Sequence, residues 1–238
     1  MSSHPHSGNS SAKNLVLARL PAADSQRLTA RMRPVSLDFK QILYKHKAPI
    51  EYVYFPTRGA ASALTIMEDG SAIEVATIGN EGVVGLSVLF AGNTSPNEVI
   101  VQIAGDALRM DADVLEQEAE KDSPFRRLLL RYNMAFLMQI SQSVACNGLH
   151  PIQQRCCRWL LITLDRMESN VVPFTHEFLA IMLGVRRASV SDVLRPLHEQ
   201  GLVNNSRGAI TILDRQGLEA LSCECYRKVR DEFDRLLG

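Results

Sequence analysis

Residues Phe174–Leu213 read FTHEFLAIMLGVRRASVSDVLRPLHEQGLVNNSRGAITIL. Thr175 can cap a helix by accepting from backbone N–H groups, and Glu177 suits the positive end of its first turn. Phe178, Leu179, Met182 and Leu183 then recur at helical spacing. Gly184 supplies a turn position that tolerates positive φ, and Val185 is an apolar residue inside that turn. A second helical pattern follows, with Val190, Val193, Leu194 and Leu197 facing inward. Gly201 ends it. Leu202-Val203 and Ala209–Leu213 flank the turn cluster Asn204–Gly208, the signature of a hairpin. Two short helices meeting at a tight corner, followed by strand, turn and strand, predict a winged helix-turn-helix.

That layout makes double-stranded DNA the first partner to consider. The outward set of the second helix is Arg187, Ala188, Ser189, Ser191, Asp192 and Arg195, small, polar or cationic side chains suited to a groove. An Arg can hold guanine O6 and N7 in a bidentate fork, worth about 1–3 kcal/mol of discrimination. Ser hydroxyls reach phosphates or base edges, and Ala188 can meet a thymine methyl. Thr175, His176 and Arg186 at the corner, and Arg207 at the hairpin tip, complete the expected DNA-binding set. The stretch 149–215 holds eight arginines against six acids, a modest basic excess. Arg186 is a poor N-cap. Pro196 inside the second helix removes a hydrogen bond and crowds the preceding turn, which predicts a bend there or a base-reading part confined to the residues before Arg195.

Working back along the chain, Glu168–Pro173 reads as a loop and Ile152–Met167 as a helix with Trp159, Leu160, Leu161 and Leu164 on its core face. His150 and Pro151 mark a break. Before them Arg126 to about Cys146 forms a long helical pattern that is apolar on more than one face: Leu129, Phe136, Ile140 and Val144 on one, Leu130, Met134 and Leu137 on another. A helix apolar nearly all round must be covered on several sides. Its own β domain is one cover, and a second copy of the chain is the expected other, with Leu129, Asn133, Phe136, Leu137, Ile140 and Val144 as the dimer-helix residues. VLEQEAEKDSPF predicts a short polar helix ended near Pro124. Between Val35 and Met110 the pieces YVYFP, ASALTIM, AIEVATI, EVIVQI and ALRM alternate with turn signals, as in a sandwich, roll or barrel. Leu15–Arg33 reads as one amphipathic helix closed by Pro34, and residues 1–14 as a disordered polar tail.

The chain has 238 residues, 26 basic and 26 acidic, so its net charge is zero. Neutrality overall does not exclude nucleic acid, because a local basic face decides binding. No apolar run approaches the roughly 18–20 residues of a membrane span. Five cysteines, an odd number, with no signal segment point to a reducing cytoplasm. Adjacent Cys156-Cys157 and the pair Cys223-x-Cys225 lack the usual spacings of a zinc site, so no metal is assigned and buried free thiols are expected. No nucleophile–base pair, metal motif or P-loop argues for an enzyme.

The order of these parts resembles the Crp/Fnr family of bacterial transcription regulators. THEFLAIMLGVRRASVSDVLRPLHEQGL is its most specific match, and VYFPTRGAASALTIMEDGSAIEVATIGNEGVVG is similar to the family's sensor domain. The resemblance implies an α+β chain: an N-terminal cyclic-nucleotide-binding-like β-roll or jelly roll (15–124), a long dimerisation helix (125–147) and a C-terminal winged helix-turn-helix (148–238). It implies a homodimer, DNA and RNA polymerase as partners, and no membrane. In the family's recognition helix the base-reading positions correspond to Arg187, Ala188 and Asp192, of which only Arg187 keeps a base-reading cation. Members that bind cyclic AMP hold the ribose with a Glu and the phosphate with an Arg. Here the matching run Gly85–Val99 places Leu86 at the Glu position and Pro96 at the Arg position, with Ser95 and Asn97 beside it. No Lys or Arg occurs between Arg58 and Arg109 to replace the missing cation. The expected effector pocket of Gly85, Leu86, Ser95, Pro96 and Asn97 is therefore degenerate, no cofactor is assigned and the effector is unknown. An iron–sulfur sensor would need an N-terminal cysteine cluster that this chain lacks, and His46 reads as a surface histidine rather than a haem ligand. The competing reading is a ligand-sensing module that acts through protein partners without specific DNA binding.

Overall fold

A computed structural model describes residues 13–90, 92–206 and 208–237. Of the tail expected over residues 1–14, the first twelve lie outside the described residues. Asn14 is an ordered, buried N-cap: its Oδ1 accepts from the Val16 and Leu17 backbone, and its Nδ2 donates to the Pro56 and Gly82 carbonyls. The helix expected over Leu15–Arg33 is two, α1 (Leu15–Ala18) and α2 (Ala22–Thr29), split at Pro21. Pro34 does not close them. It lies within strand β1 (Arg33–Leu37), at the edge of the sheet, where a missing N–H costs little.

The sensor sheet also contains β2 (Ile42–Tyr44), β3 (Tyr52–Ile66), β4 (Ala72–Ile78) and β5 (Glu98–Asp111). All pairs are antiparallel, in the order β1-β5-β3-β4 with β2 also on β5. The pieces read separately as YVYFP and ASALTIM are one strand, and so are EVIVQI and ALRM. The first two pieces join through a run of bulges in β3 between Pro56 and Ala61. Gly59 there has φ 74°, and a Cβ on it would stand 2.4 Å from the Ile103 carbonyl oxygen. Bulges bend the two long strands while keeping them paired, which is how a sheet curls into a roll.

Helix α3 (Ala112–Glu120) ends before Pro124, which instead opens α4 (Pro124–Leu149). Ser123 caps it by accepting from the Arg126 N–H, and a proline fits the first helical position because its missing donor has no helical partner anyway. Twenty-six residues make α4 about 39 Å long. Phe125, Leu128, Leu129 and Tyr132 are buried in the sensor core with Phe55, Val101 and Met110. Each fully buried side chain of this size contributes roughly 1.5–3 kcal/mol.

The C-terminal part comprises α5 (Ile152–Leu164), β6 (Val171–Val172), α6 (His176–Leu183), α7 (Arg187–Glu199), β7 (Val203–Ser206), β8 (Ala209–Ile212), α8 (Arg215–Leu221) and α9 (Cys225–Leu237). The loop expected over Glu168–Pro173 carries β6, which completes a three-stranded wing in the order β6-β8-β7. Its core of Leu160, Leu179, Leu194, Leu197 and Ile210 is continuous with Ala60, Leu64 and Ile103 of the sensor sheet. Trp159 Nε1 donates to Glu74 at 3.0 Å and Gln102 to Thr163 at 3.0 Å across that junction. The sequence reading did not anticipate α9. It packs along α4, with Phe233 edge-on to Tyr132 and Leu237 in the N-terminal core, while its Tyr226 belongs to the C-terminal core.

Candidate nucleic-acid interface and effector pocket

The corner is built as the sequence demands. Thr175 Oγ1 accepts from the Phe178 N–H at 3.2 Å, and Gly184 adopts the left-handed conformation at φ 60° and ψ 44°. The Val185 N–H reaches back to the Ala180 carbonyl at 3.0 Å, and that of Gly184 to Ile181 at 3.1 Å. These two bonds are a Schellman ending, and Gly184 avoids the Cβ penalty of its left-handed turn. Val190, Leu194 and Leu197 are fully buried, which fixes the rotation of α7 about its axis. Arg187, Ala188, Ser191, Asp192 and Arg195 are exposed and Ser189 is half-buried. Arg186, extended at φ −74° and ψ 147°, holds the N-cap position without a side-chain bond.

His176 Nδ1 lies 3.0 Å from Ser191 Oγ and ties the start of α6 to the outer face of α7. Partial burial, and then the Arg187 charge, hold its imidazole below the ordinary histidine range. Arg195 pairs with Asp192 at 3.3 Å on the surface, an exposed pair worth little that can open toward a phosphate. Arg207, assigned to the wing tip, lies outside the described residues, although the strands that carry the tip are formed. Pro196 does not end α7, which continues to Glu199. The carbonyl that loses its partner is that of exposed Asp192, where water can replace the bond.

The expected effector residues converge. Gly85, Leu86, Ser95, Pro96 and Asn97 line one cavity of about 400 Å³. Its other wall is α4, through Asn133, Phe136, Leu137 and Ile140. None of the lining side chains carries a charge. Ser95 Oγ donates to the Asn97 carbonyl at 2.7 Å, and Asn97 Nδ2 donates to Thr65 Oγ1 at 3.1 Å, so these polar groups are engaged in holding their own loop. His46 Nδ1 lies 2.8 Å from the Pro96 carbonyl on the surface.

The dimer-helix set is corrected in part. Leu129 is fully buried in its own sensor core, and Phe136 and Ile140 are half-buried against it. Apart from Leu149 at its end, the large apolar residues that α4 leaves exposed are Leu130, Met134, Leu137 and Val144, 42–65% exposed. They recur at the alternating spacing of four and three that a coiled-coil seam requires, with exposed Ser141 completing the row.

The cysteines divide into two groups. Cys156 and Cys157 sit in the C-terminal core, where burial pushes both thiols up, Cys157 to about 12. Thiols held protonated are poor nucleophiles, which argues against a redox role for this pair. Cys146, Cys223 and Cys225 form a separate buried cluster beside His150, a gathering that spacing rules for consecutive ligands missed. The legible signal was a Cys–His pair four residues apart near the end of a helix.

A cyclic nucleotide-binding domain model matches residues 34–122, and a Crp-like helix-turn-helix domain model matches residues 154–221. With this order of domains, the chain belongs to the Crp/Fnr family of transcription regulators, whose members bind DNA. It resembles FixK2 from Bradyrhizobium japonicum at TM-score 0.69 and 22% identity, over 81% of this chain and 98% of that one. A Crp/Fnr-family transcriptional regulator from Eubacterium rectale gives TM-score 0.68 and 19% identity, over 87% and 96% of the two chains. The global nitrogen regulator of a Nostoc species is 23% identical over 179 residues, 69% of this chain and 78% of that protein. No helix among the described residues is long and apolar enough to cross a membrane.

Proposed function

We propose that the chain is a homodimeric, sequence-specific regulator that reads DNA through the N-terminal half of α7 and does not respond to cyclic AMP. The observation that carries the reading is the orientation of α7. Its aliphatic stripe is fully buried, so Arg187, Ala188, Ser191 and Asp192 are turned outward together. His176, bonded to Ser191, and its neighbour Thr175 would meet phosphates beside this face, and Arg207 belongs to the same proposed set by its place in the sequence between β7 and β8. The exposed row Leu130, Met134, Leu137 and Val144 favours pairing of two copies along α4, which would present two recognition helices about 34 Å apart, one turn of DNA. RNA polymerase contact belongs to the same proposal by family analogy.

The test is binding to promoter fragments by fluorescence anisotropy at several salt concentrations. Arg187→Ala is expected to weaken the best site by about 5- to 150-fold, the equivalent of 1–3 kcal/mol, and to relax preference at one base pair per half-site. Wild-type affinity in the variant would refute the assignment of Arg187. Absent or sequence-independent binding by the wild type would favour a module acting through protein partners.

A further inference from the structure

The end of α4 and the link into α9 bring four metal-ligating side chains together. Cys146 and His150 lie four residues apart at the C-terminal end of α4, Cys223 arrives from the link between α8 and α9, and Cys225 is the first residue of α9. The three Sγ atoms and one ring nitrogen of His150 all lie within 4.8 Å of one another. Cys146 Sγ is 3.5 Å from Cys223 Sγ, and Cys225 Sγ is 3.5 Å from His150 Nδ1. All three cysteines are buried, and His150 keeps 19% of its side chain exposed.

These separations fit a single tetrahedral ion. Zinc bonds of about 2.3 Å to sulfur and about 2.0–2.1 Å to nitrogen place neighbouring sulfurs about 3.8 Å apart and sulfur and nitrogen about 3.6 Å apart. A disulfide would need about 2.05 Å, so the Cys146–Cys223 contact is not one. A cluster of several irons would spread its ligands more widely than this. The surroundings are those of a ligand shell. His150 Nε2 lies 3.3 Å from the Glu224 carboxylate, which turns Nδ1 inward toward the sulfurs. Gln142 Nε2 donates to Cys225 Sγ at 3.0 Å. Three thiolates with a divalent ion leave one negative charge, and Arg158 and Arg155 bond Ser143 at 3.0 Å and Asn147 at 3.1 Å, on either side of Cys146 in α4. Arg158 carries a buried Nε with no hydrogen-bond partner.

We propose that Cys146, His150, Cys223 and Cys225 bind one zinc ion. With four protein ligands the site is closed and structural. It fastens α9 to the end of α4 at the His150–Pro151 break that leads into the DNA-binding part. Arg155 extends that connection: its Nε donates to Asn147 at 3.1 Å, and its terminal nitrogen donates to the Leu183 carbonyl next to the helix-turn-helix corner. The ion thus sets how the long helix, the C-terminal helix and the DNA-reading corner are joined. This inference stands apart from the reading of α7.

Metal analysis of the purified full chain tests it. About one zinc per chain is expected from four protein ligands. Cys223→Ser and His150→Gln should each cut that content about tenfold, while Cys156→Ala, outside the cluster, should keep it. Two measurements on the wild type do not depend on how the variants fold. A mercurial thiol reagent should release the zinc, read by a colour indicator. Cobalt(II) in place of zinc should give the thiolate charge-transfer and tetrahedral visible bands. Zinc below a tenth per chain with no cobalt spectrum would overturn the proposal. So would a folded Cys223→Ser variant that retains its full zinc.

Discussion

Glu118 has a side chain only 3% exposed, yet it meets three cations: Arg27 at 2.6 Å, Lys121 at 2.8 Å and Arg31 at 3.0 Å. This cluster ties α2 to α3 over the sensor sheet. Burial alone would raise the Glu118 carboxyl, but Lys121 and Arg27 together hold it below the ordinary carboxylate range. A carboxyl lowered in the folded state adds stability above its unfolded value, and that contribution disappears as pH falls through the folded one. Glu118→Gln is expected to lower stability at neutral pH and to flatten the acid limb, as urea midpoints between pH 3 and pH 7 would register. The partners are 40–57% exposed, so the effect is modest, about 1 kcal/mol. An unchanged acid limb would remove the cluster from the stability argument. None of this was legible in the sequence, because Arg27 and Glu118 lie 91 residues apart. Thr175 and Gly184 are the opposite case. A capping hydroxyl and a left-handed glycine act on their own backbone neighbours, so their roles could be read directly.

At the scale of elements, α4 separates what periodicity says from what it leaves open. An apolar pattern covering several faces was evident, and so was the need for several covers. Which face meets which cover was not, because the N-terminal sheet, α9 and a second copy of the chain all call for apolar side chains. Leu129 faces the sensor and Phe233 of α9 packs on Tyr132, while Leu130, Met134 and Leu137 remain outside. Leu137→Glu is expected to shift the chain toward monomer in sedimentation at micromolar concentration and to weaken DNA binding by more than tenfold, since each half-site would then bind alone. A stable dimer in that variant would move the interface elsewhere. In α7, Pro196 predicts a bend, or a base-reading part confined to the residues before Arg195, and α7 continues past it to Glu199. The helix survives because the carbonyl it orphans faces water and because Leu194 and Leu197, on either side, are fully buried.

At the scale of the whole molecule, the cavity of about 400 Å³ is assembled from the roll and α4 together, so an occupant would touch the helix expected to hold the dimer. Leu86 and Pro96 line it and no charged group does. A buried cyclic phosphate would forgo its charge-assisted bond there. Cyclic AMP up to about millimolar concentration, far above an ordinary micromolar Kd, is expected to leave the melting temperature unchanged. A saturable rise would refute the degenerate-pocket reading. The DNA-binding part shares a core with the sensor sheet, and Phe39 stacks on Phe174 at 5.8 Å between ring centres. That contact joins the loop between β1 and β2 to the segment that enters α6.

By itself the sequence determined the order of the parts, the helix-turn-helix corner, the wing, the missing cation of the pocket and the apolar excess of the long helix. Each of these rests on neighbours within a few residues, or on residue types absent from a whole stretch. Only the tertiary structure decided that β3 and β5 run unbroken through their bulges, that α9 covers α4, that Leu129 faces inward, and that Cys146 and His150 meet Cys223 and Cys225. Those outcomes depend on which distant segments share a surface. Hydrophobic burial is non-directional, so the pattern of apolar residues states that a face must be covered without naming the segment that covers it.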